Sequence, residues 1–203
     1  YRGHLLPNGR ISALERIYRG LPDAGQHPNR TIAVGPDGML YVSVGSTCNA
    51  CEEPNPRSAT LLRFDAHGGH SRIFASGLRN TIGFGWHPLS NRLWGMDNGI
   101  DSLGNDENPE ELNEILKGGL YGWPFLYADQ ERHPHEEPTK VTWSEWTAMS
   151  TPPAGTEVAH AAPMQLAFYD GTQFPPEFNS NAFVANHGSW NRKPPSGYDV
   201  QRI

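Results

Sequence analysis

The sequence predicts an all-β chain assembled from repeated hairpins, and three observations carry that prediction. Short β-rich runs alternate with Gly, Pro and Asp turns along most of the chain. Its 22 Gly and 18 Pro make up about a fifth of the residues, below the roughly 25–30% of low-complexity disorder, while six Trp, seven Tyr and eight Phe supply a core. The strand, turn, strand order then repeats: Gly35 and Gly85 lie 50 residues apart, within the period of one β-propeller blade.

The first hairpin runs from Arg30 to Val44, with a Pro36-Asp37-Gly38 turn between two β-rich runs. The second covers Thr81 to Met96, where Ile-Gly-Phe-Gly-Trp86 and Arg-Leu-Trp-Gly-Met96 flank the turn His87-Pro88-Leu-Ser-Asn91. The third covers Met164 to Ala185, with a longer loop through Pro175 and Pro176. Thr60 to Asp65 and Ser71 to Ala75 read as outer strands, and Glu111 to Leu116 as an outer strand of the next unit. Asn108 to Leu116 also admits a single helical turn, with Pro109 at its start and acids early. Residues 128–156 are polar, Pro-punctuated and without sustained period, which reads as a long surface excursion of the kind that carries function. Residues 1–203 thus form part of one propeller domain, about three blades, with a loop insertion at 128–156.

Charge and composition narrow the function classes. Lys and Arg number 16 against 22 Asp and Glu, so the net charge is −6, with no basic nucleic-acid footprint. No run approaches the roughly 18 apolar residues of a membrane helix. The chain starts at Tyr1 without Met or a signal-peptide pattern and stops in the strand-like Tyr198 to Ile203, so it is expected to be part of a longer mature protein.

Several residues are candidates for chemistry. Cys48-Asn-Ala-Cys51 reads as a short-range disulfide suited to an exported protein; zinc held with His67 and His70 is the competing reading, and a redox motif lacks its βαβ context. His27 precedes the first hairpin, and Arg79-Asn80 stands at the matching entrance of the second. Residues entering the innermost strands of a propeller ring its central channel, so this shared placement makes a general base and a cationic partner plausible. A lone histidine is otherwise a solvated or structural one. Asp97-Asn98-Gly99-Ile100-Asp101, followed by Gly104 to Asn108, is oxygen-rich and suits Ca²⁺, against the alternative of a solvated Asx-rich turn. Tyr121-Gly-Trp-Pro124 and His187-Gly-Ser-Trp-Asn-Arg192 mix aromatics with Gly; packing is their default role, and an aromatic with an Arg can hold a planar anion.

Taken in order, His27-Pro-Asn-Arg30, Val34-Gly-Pro-Asp-Gly-Met-Leu-Tyr41, Gly77-Leu-Arg-Asn80, Asp97-Asn-Gly99, Glu111-Leu-Asn113 and Gly119-Leu-Tyr-Gly-Trp-Pro124 resemble the soluble glucose/sorbosone dehydrogenases that use pyrroloquinoline quinone (PQQ). Gly45 to Cys51, Phe168 to Phe174 and His187 to Arg192 resemble the L-sorbosone dehydrogenase branch more than the soluble glucose enzymes. The resemblance implies a six-bladed β-propeller with PQQ on its axial face beside Ca²⁺. It implies His27 as the base that takes the substrate hydroxyl proton while hydride passes to the quinone, and Arg79 with Asn80 near the reacting oxygen, Arg79 stabilising its charge. Asn98 precedes Gly99 and Ile100, whose positions match the backbone carbonyls that ligate the cofactor-side Ca²⁺, a Lewis acid; Glu111 and Tyr121 match the ligands of a second, structural Ca²⁺. His160 and Arg192 are further cofactor contacts by the same resemblance.

Where the glucose enzymes carry an Asp that supports the base, this chain has Ser46, so the partner of His27 is open. The implied partners are a sugar or sugar aldehyde, oxidised at its hemiacetal or hydrated aldehyde carbon, and an external electron acceptor. The implied place is periplasmic or secreted. A non-catalytic propeller binding module and a calcium-dependent propeller lactonase are the alternatives.

Overall fold

The computed structural model describes residues 1–23 and 25–203. β1 (Ile32–Val34), β2 (Leu40–Val44), β3 (Thr60–Phe64) and β4 (Arg72–Ser76) form a four-stranded antiparallel sheet in chain order. β5 (Thr81–Trp86), β6 (Leu93–Asp97) and β7 (Glu110–Glu114) repeat that meander. After the short ribbon β8 (Leu126–Tyr127) and β9 (Glu131–Arg132) and the helix α1 (Trp143–Met149), β10 (Gly155–Glu157) returns to pair with β7 as the fourth strand. β11 (Pro163–Phe168), β12 (Ala182–Asn186) and β13 (Val200–Arg202) make a three-stranded third sheet. No sheet closes on itself among the described residues.

Alternation along the strands explains the layering. On β2 and β3, Tyr41 and Leu61 face the second sheet, while Val42, Val44, Leu62 and Phe64 face outward under Tyr18 and Leu21 of the N-terminal segment. Tyr41, Leu61 and Ala75 meet Phe84, Leu93 and Ile115 between the first two sheets. Met96 and Leu112 meet Leu166, Ala182 and Val184 between the second and third. The first and second sheets each therefore bury one face against the next. At Gly83, a Cβ would stand 2.4 Å from the Leu166 backbone nitrogen, so β5 and β11 approach to a distance that only glycine permits.

The outer strand read at Glu111 to Leu116 forms as β7 over Glu110–Glu114, and the alternative helical turn does not, because pairing with both β6 and β10 satisfies the backbone groups of these residues. The excursion at 128–156 is not irregular throughout. It holds α1, started by a capping box in which Thr142 and Glu145 bond each other's backbone N–H, and anchored by Trp146 against Phe125 at 4.9 Å. Trp146 also donates its indole N–H to the Gly122 carbonyl at 2.9 Å.

Candidate functional site

The antiparallel order brings one end of all three sheets together: the starts of β1, β5, β7 and β11 and the ends of β2, β6 and β12. Loops at that end supply His27, Arg79, Asn80, Asn98, Gly99, Asp101, Glu110, His160, Trp190 and Asn191, which line a cleft of about 110 Å³. Sequence positions 27 to 191 thus share one site because each sheet repeats the same up-and-down path.

His27 is held by one side. Its Nδ1 lies 2.8 Å from Ser46 Oγ, and that hydroxyl donates to the Cys48 carbonyl at 2.6 Å. Ser46, fully buried, must therefore accept, which puts the proton on Nδ1 and leaves Nε2 as a bare acceptor. No described residue bonds Nε2. Burial, reinforced by the Arg79 charge, lowers the imidazole pKa from 6.5 to about 4, so the ring is neutral at pH 7. Gly45 allows this seating, because a Cβ there would lie 2.5 Å from that of His27.

Arg79 is 3% exposed and sits in a cage of oxygens. Nε donates to the Asn49 carbonyl at 2.9 Å, Nη2 to Asn49 Oδ1 at 2.7 Å, and Nη1 to the Asn98 carbonyl at 3.1 Å. Its backbone N–H and those around it are gathered by Asp97, which accepts from Arg79 N, Asn80 N and Thr81 Oγ at 2.7–2.8 Å. Burial raises Asp97 to about 6 despite these donors.

Adjacent acids on β7 part ways by strand alternation. Glu110 enters the cleft, where it accepts from Gly99 N at 2.7 Å and Ala162 N at 2.9 Å, and burial raises it to about 7. Glu111 instead lines a second void of about 10 Å³, the size of one water, with Ile100 and Tyr121. Burial and then the nearby Asp97 push Glu111 to about 8. Gly99 lies in the wall common to both spaces; a Cβ on it would stand 2.4 Å from the Asn108 carbonyl.

Of the residues singled out in the sequence, His27, Arg79, Asn80, Asn98, Gly99 and His160 meet in the cleft, and Ile100, Glu111 and Tyr121 meet in the smaller void. The Tyr121 hydroxyl itself turns away, accepting from Leu116 N and donating to the Glu114 carbonyl. Arg192 is not brought to the cleft: it is bound by Asp106 at 2.6 Å and the Asn105 carbonyl at 2.9 Å. An Asn-Asp loop opposite an arginine satisfies that charge locally. His160 Nε2 bonds the Gly104 carbonyl at 2.8 Å, with Nδ1 3.6 Å from Asp101. The zinc reading fails because Cys48 and Cys51 are joined to each other, while His70 pairs with Asp65 and His67 with Arg2.

Asp101 enters the cleft from the oxygen-rich stretch read as a calcium loop, whereas Glu110, Asn49 and Asn191 were not chosen as site residues. Glu110 had a signal, adjoining a residue already chosen; Asn49 and Asn191 reach the site only through the fold.

The donor set fits an oxygen-rich anion with a hard cation beside it. No described residue donates to the Gly99 or Ile100 carbonyls or to Asn98 Oδ1, leaving oxygens suited to Ca²⁺. Glu111, buried without a cationic partner among the described residues, is a carboxyl group whose ionised form a divalent ion would stabilise.

The family model described as TrAA12-like matches residues 8–203. An uncharacterized protein of Borreliella burgdorferi is 32% identical over 194 residues, covering 93% of this chain and 49% of that one. A PQQ-dependent pyranose dehydrogenase of Coprinopsis cinerea is 27% identical over 159 residues, covering 64% of this chain and 21% of that one. The calcium structure of the Trichoderma reesei AA12 enzyme superposes with a TM-score of 0.74 at 23% identity, over 89% of this chain and 54% of that one, a likeness of fold. The chain spans about half the length, or less, of the relatives it matches.

Proposed function

The chain belongs to the TrAA12-like family, and from that premise we propose that it forms part of a quinoprotein that oxidises a sugar or sugar aldehyde. PQQ-dependent sugar dehydrogenases among its relatives support this class. The observation that carries it is the neutral His27 ring, with Nδ1 engaged and Nε2 bare, in one cleft with the buried Arg79.

PQQ and Ca²⁺, when bound, supply a two-electron hydride acceptor and a Lewis acid. The chain does the rest. His27 Nε2 takes the proton from the hydroxyl on the carbon being oxidised, Ser46 holding the ring in the required tautomer. Arg79 and Asn80 would hold the reacting edge of the quinone and supply positive charge and a hydrogen-bond donor there, with Arg79 fixed beforehand by its oxygen cage. The Gly99 and Ile100 carbonyls, next to Asn98, would hold the cofactor-side Ca²⁺, and Glu111 with the Tyr121 segment would hold a second, structural ion. His160 faces the same cleft as a cofactor contact.

In this reading the three sheets are blades of a six-bladed ring, and the sugar resembles that of the L-sorbosone branch. Electrons leave to an external acceptor. The Cys48–Cys51 disulfide favours a periplasmic or secreted protein.

The test is reconstitution with PQQ and Ca²⁺ followed by sugar-dependent bleaching of a redox dye. Failure to take up quinone would sink the reading in favour of a binding module; lactone hydrolysis without quinone would replace it by a lactonase. His27→Ala is expected to abolish reduction of bound quinone by sugar, and an unchanged single-turnover rate would remove His27 as the base.

A further inference from the structure

Asn49 joins parts of the cleft that lie far apart along the chain. Its Oδ1 accepts from Arg79 Nη2 at 2.7 Å and from the Asp101 backbone N–H at 3.0 Å, and its Nδ2 donates to the Asp101 carbonyl at 2.8 Å. Its own carbonyl accepts from Arg79 Nε at 2.9 Å and from Trp123 Nε1 at 3.1 Å. One residue thus fills the Nε–Nη2 edge of the guanidinium with two acceptors.

What keeps Asn49 in place is the turn around it. Cys48 and Cys51 close a disulfide over Asn49 and Ala50, with Cα atoms 6.2 Å apart. Cys48 and Ala50 pack beside Ile100 and Trp123, so the turn is anchored on two further loops of the site. The Cys48 carbonyl also accepts the Ser46 hydroxyl hydrogen bond, which leaves the Ser46 oxygen as an acceptor for His27. An arginine side chain with four torsions samples many rotamers unless its planar fork is matched from several directions. The remaining partners of Arg79 are weaker in geometry: the Asn98 carbonyl at 3.1 Å and Asp101 at 3.4 Å.

We propose that Asn49, carried on the Cys48–Cys51 disulfide turn, is a positioning residue that fixes the Arg79 guanidinium in the cleft, and that opening the disulfide loosens that hold. The role deepens the dehydrogenase reading, on which it rests for what Arg79 then does to a quinone. Opening needs a thiol or phosphine reductant: two electrons and two protons convert the S–S bond to two thiols while the reductant is oxidised.

The test reads Arg79 directly, on the metal-free and quinone-free chain. The Arg79 Nε–H is followed by ¹H–¹⁵N NMR, identified by its loss in Arg79→Lys, with Arg63 paired to Asp37 as an internal control. In Asn49→Ala the Arg79 Nε–H is expected to exchange with water about tenfold faster or more while Arg63 is unchanged. Asn49→Asp keeps the side-chain and backbone oxygens that face Arg79 and is expected to keep the protection. A phosphine reductant, with two free thiols counted per chain, is expected to speed the same exchange several-fold. Protection retained in Asn49→Ala would overturn the positioning role, and protection unchanged after full reduction would overturn the part played by the disulfide. Should Asn49→Ala not fold, judged by loss of the Arg63 signal, the reduced wild-type chain decides by the same readout. Quinone titration separates the two readings: a released Arg79 with unaltered quinone affinity leaves the clamp standing and removes Arg79 from the proposed cofactor site.

Discussion

Replacing Glu111 by Gln should change how stability depends on pH, with a size set by where the carboxyl lies. Glu111 sits on β7 with Oε1 accepting from Ala128 N at 2.8 Å, and burial followed by the Asp97 charge raises its pKa from 4.5 to about 8. The folded chain therefore keeps a proton that the unfolded chain has released, and stability falls as pH rises until the folded value is passed. Between pH 6.5 and 8 the unfolded side chain is fully ionised, so the slope is about 1.4 kcal/mol per pH unit at the lower end, halves by pH 8, and gives a loss of about 2 kcal/mol. Glu110, raised to about 7, adds a smaller fall of the same sign over the lower part of this window. His27 acts oppositely but earlier: its folded value of about 4 lies below the ordinary 6.5, so its stabilisation grows between those values and is complete above them.

Gln keeps an oxygen for Ala128 N–H and cannot ionise. In chelator, urea unfolding followed by tryptophan fluorescence should show Glu111→Gln gaining about 2 kcal/mol on the parent between pH 6.5 and 8. Adding Ca²⁺ at pH 8, at a hundred times its dissociation constant, should then stabilise the parent by about 2.7 kcal/mol and the variant far less. Parallel pH profiles for parent and variant would refute the burial argument. A calcium response that survives the substitution would refute Glu111 as a ligand.

Other consequences can be checked independently. Ser46→Ala removes the shorter of two acceptors for His27 Nδ1–H, the hydroxyl at 2.8 Å, and leaves the Ser46 carbonyl at 3.2 Å; it should slow quinone reduction by sugar about 10-fold with quinone affinity retained, and an unchanged stopped-flow rate would show that the hydroxyl does not orient the ring. That rate should rise with pH through about 4 and then level, whereas an inflection near the ordinary histidine value would mean His27 is not desolvated. Leu61→Ala, at a fully buried position between the first two sheets, should cost about 2–5 kcal/mol in urea unfolding, and a loss below about 1 kcal/mol would contradict the packing described. Gly99→Ala drives a Cβ to 2.4 Å from the Asn108 carbonyl and should destabilise the chain by about 1–3 kcal/mol while weakening calcium uptake, measured by titration calorimetry; full-affinity binding would place the ion elsewhere.

The hairpins were legible because their signal is local. Pro36-Asp37-Gly38 and His87 to Asn91 punctuate β-rich runs, and β1–β2, β5–β6 and β11–β12 form where those patterns stand. The helix at Trp143–Met149 was harder to read: its start depends on a two-residue reciprocal cap, and its anchor is Trp146 packing on Phe125, a partner outside the segment. β10 joining β7 was not visible at all, since nothing in Gly155–Glu157 names the strand it will pair with.

The site divides in the same way. His27, Arg79, Asn98 and Gly99 could be chosen from sequence, because each stands where a repeated hairpin begins or ends and the repeat itself places those positions at one rim. Residue chemistry and local turn geometry were thus determined along the chain. Which void each group enters was decided by tertiary structure: alternation on a paired β7 sends Glu110 to the cleft and Glu111 to the smaller space, and Asp106 holds Arg192 away from both. The state of His27 was decided there too, since its desolvation and its Ser46 partner arise only when the loops of separate sheets are packed together. Turn and strand propensities act within a few residues, whereas burial, field and hydrogen-bond complementarity depend on neighbours that only the folded chain assembles.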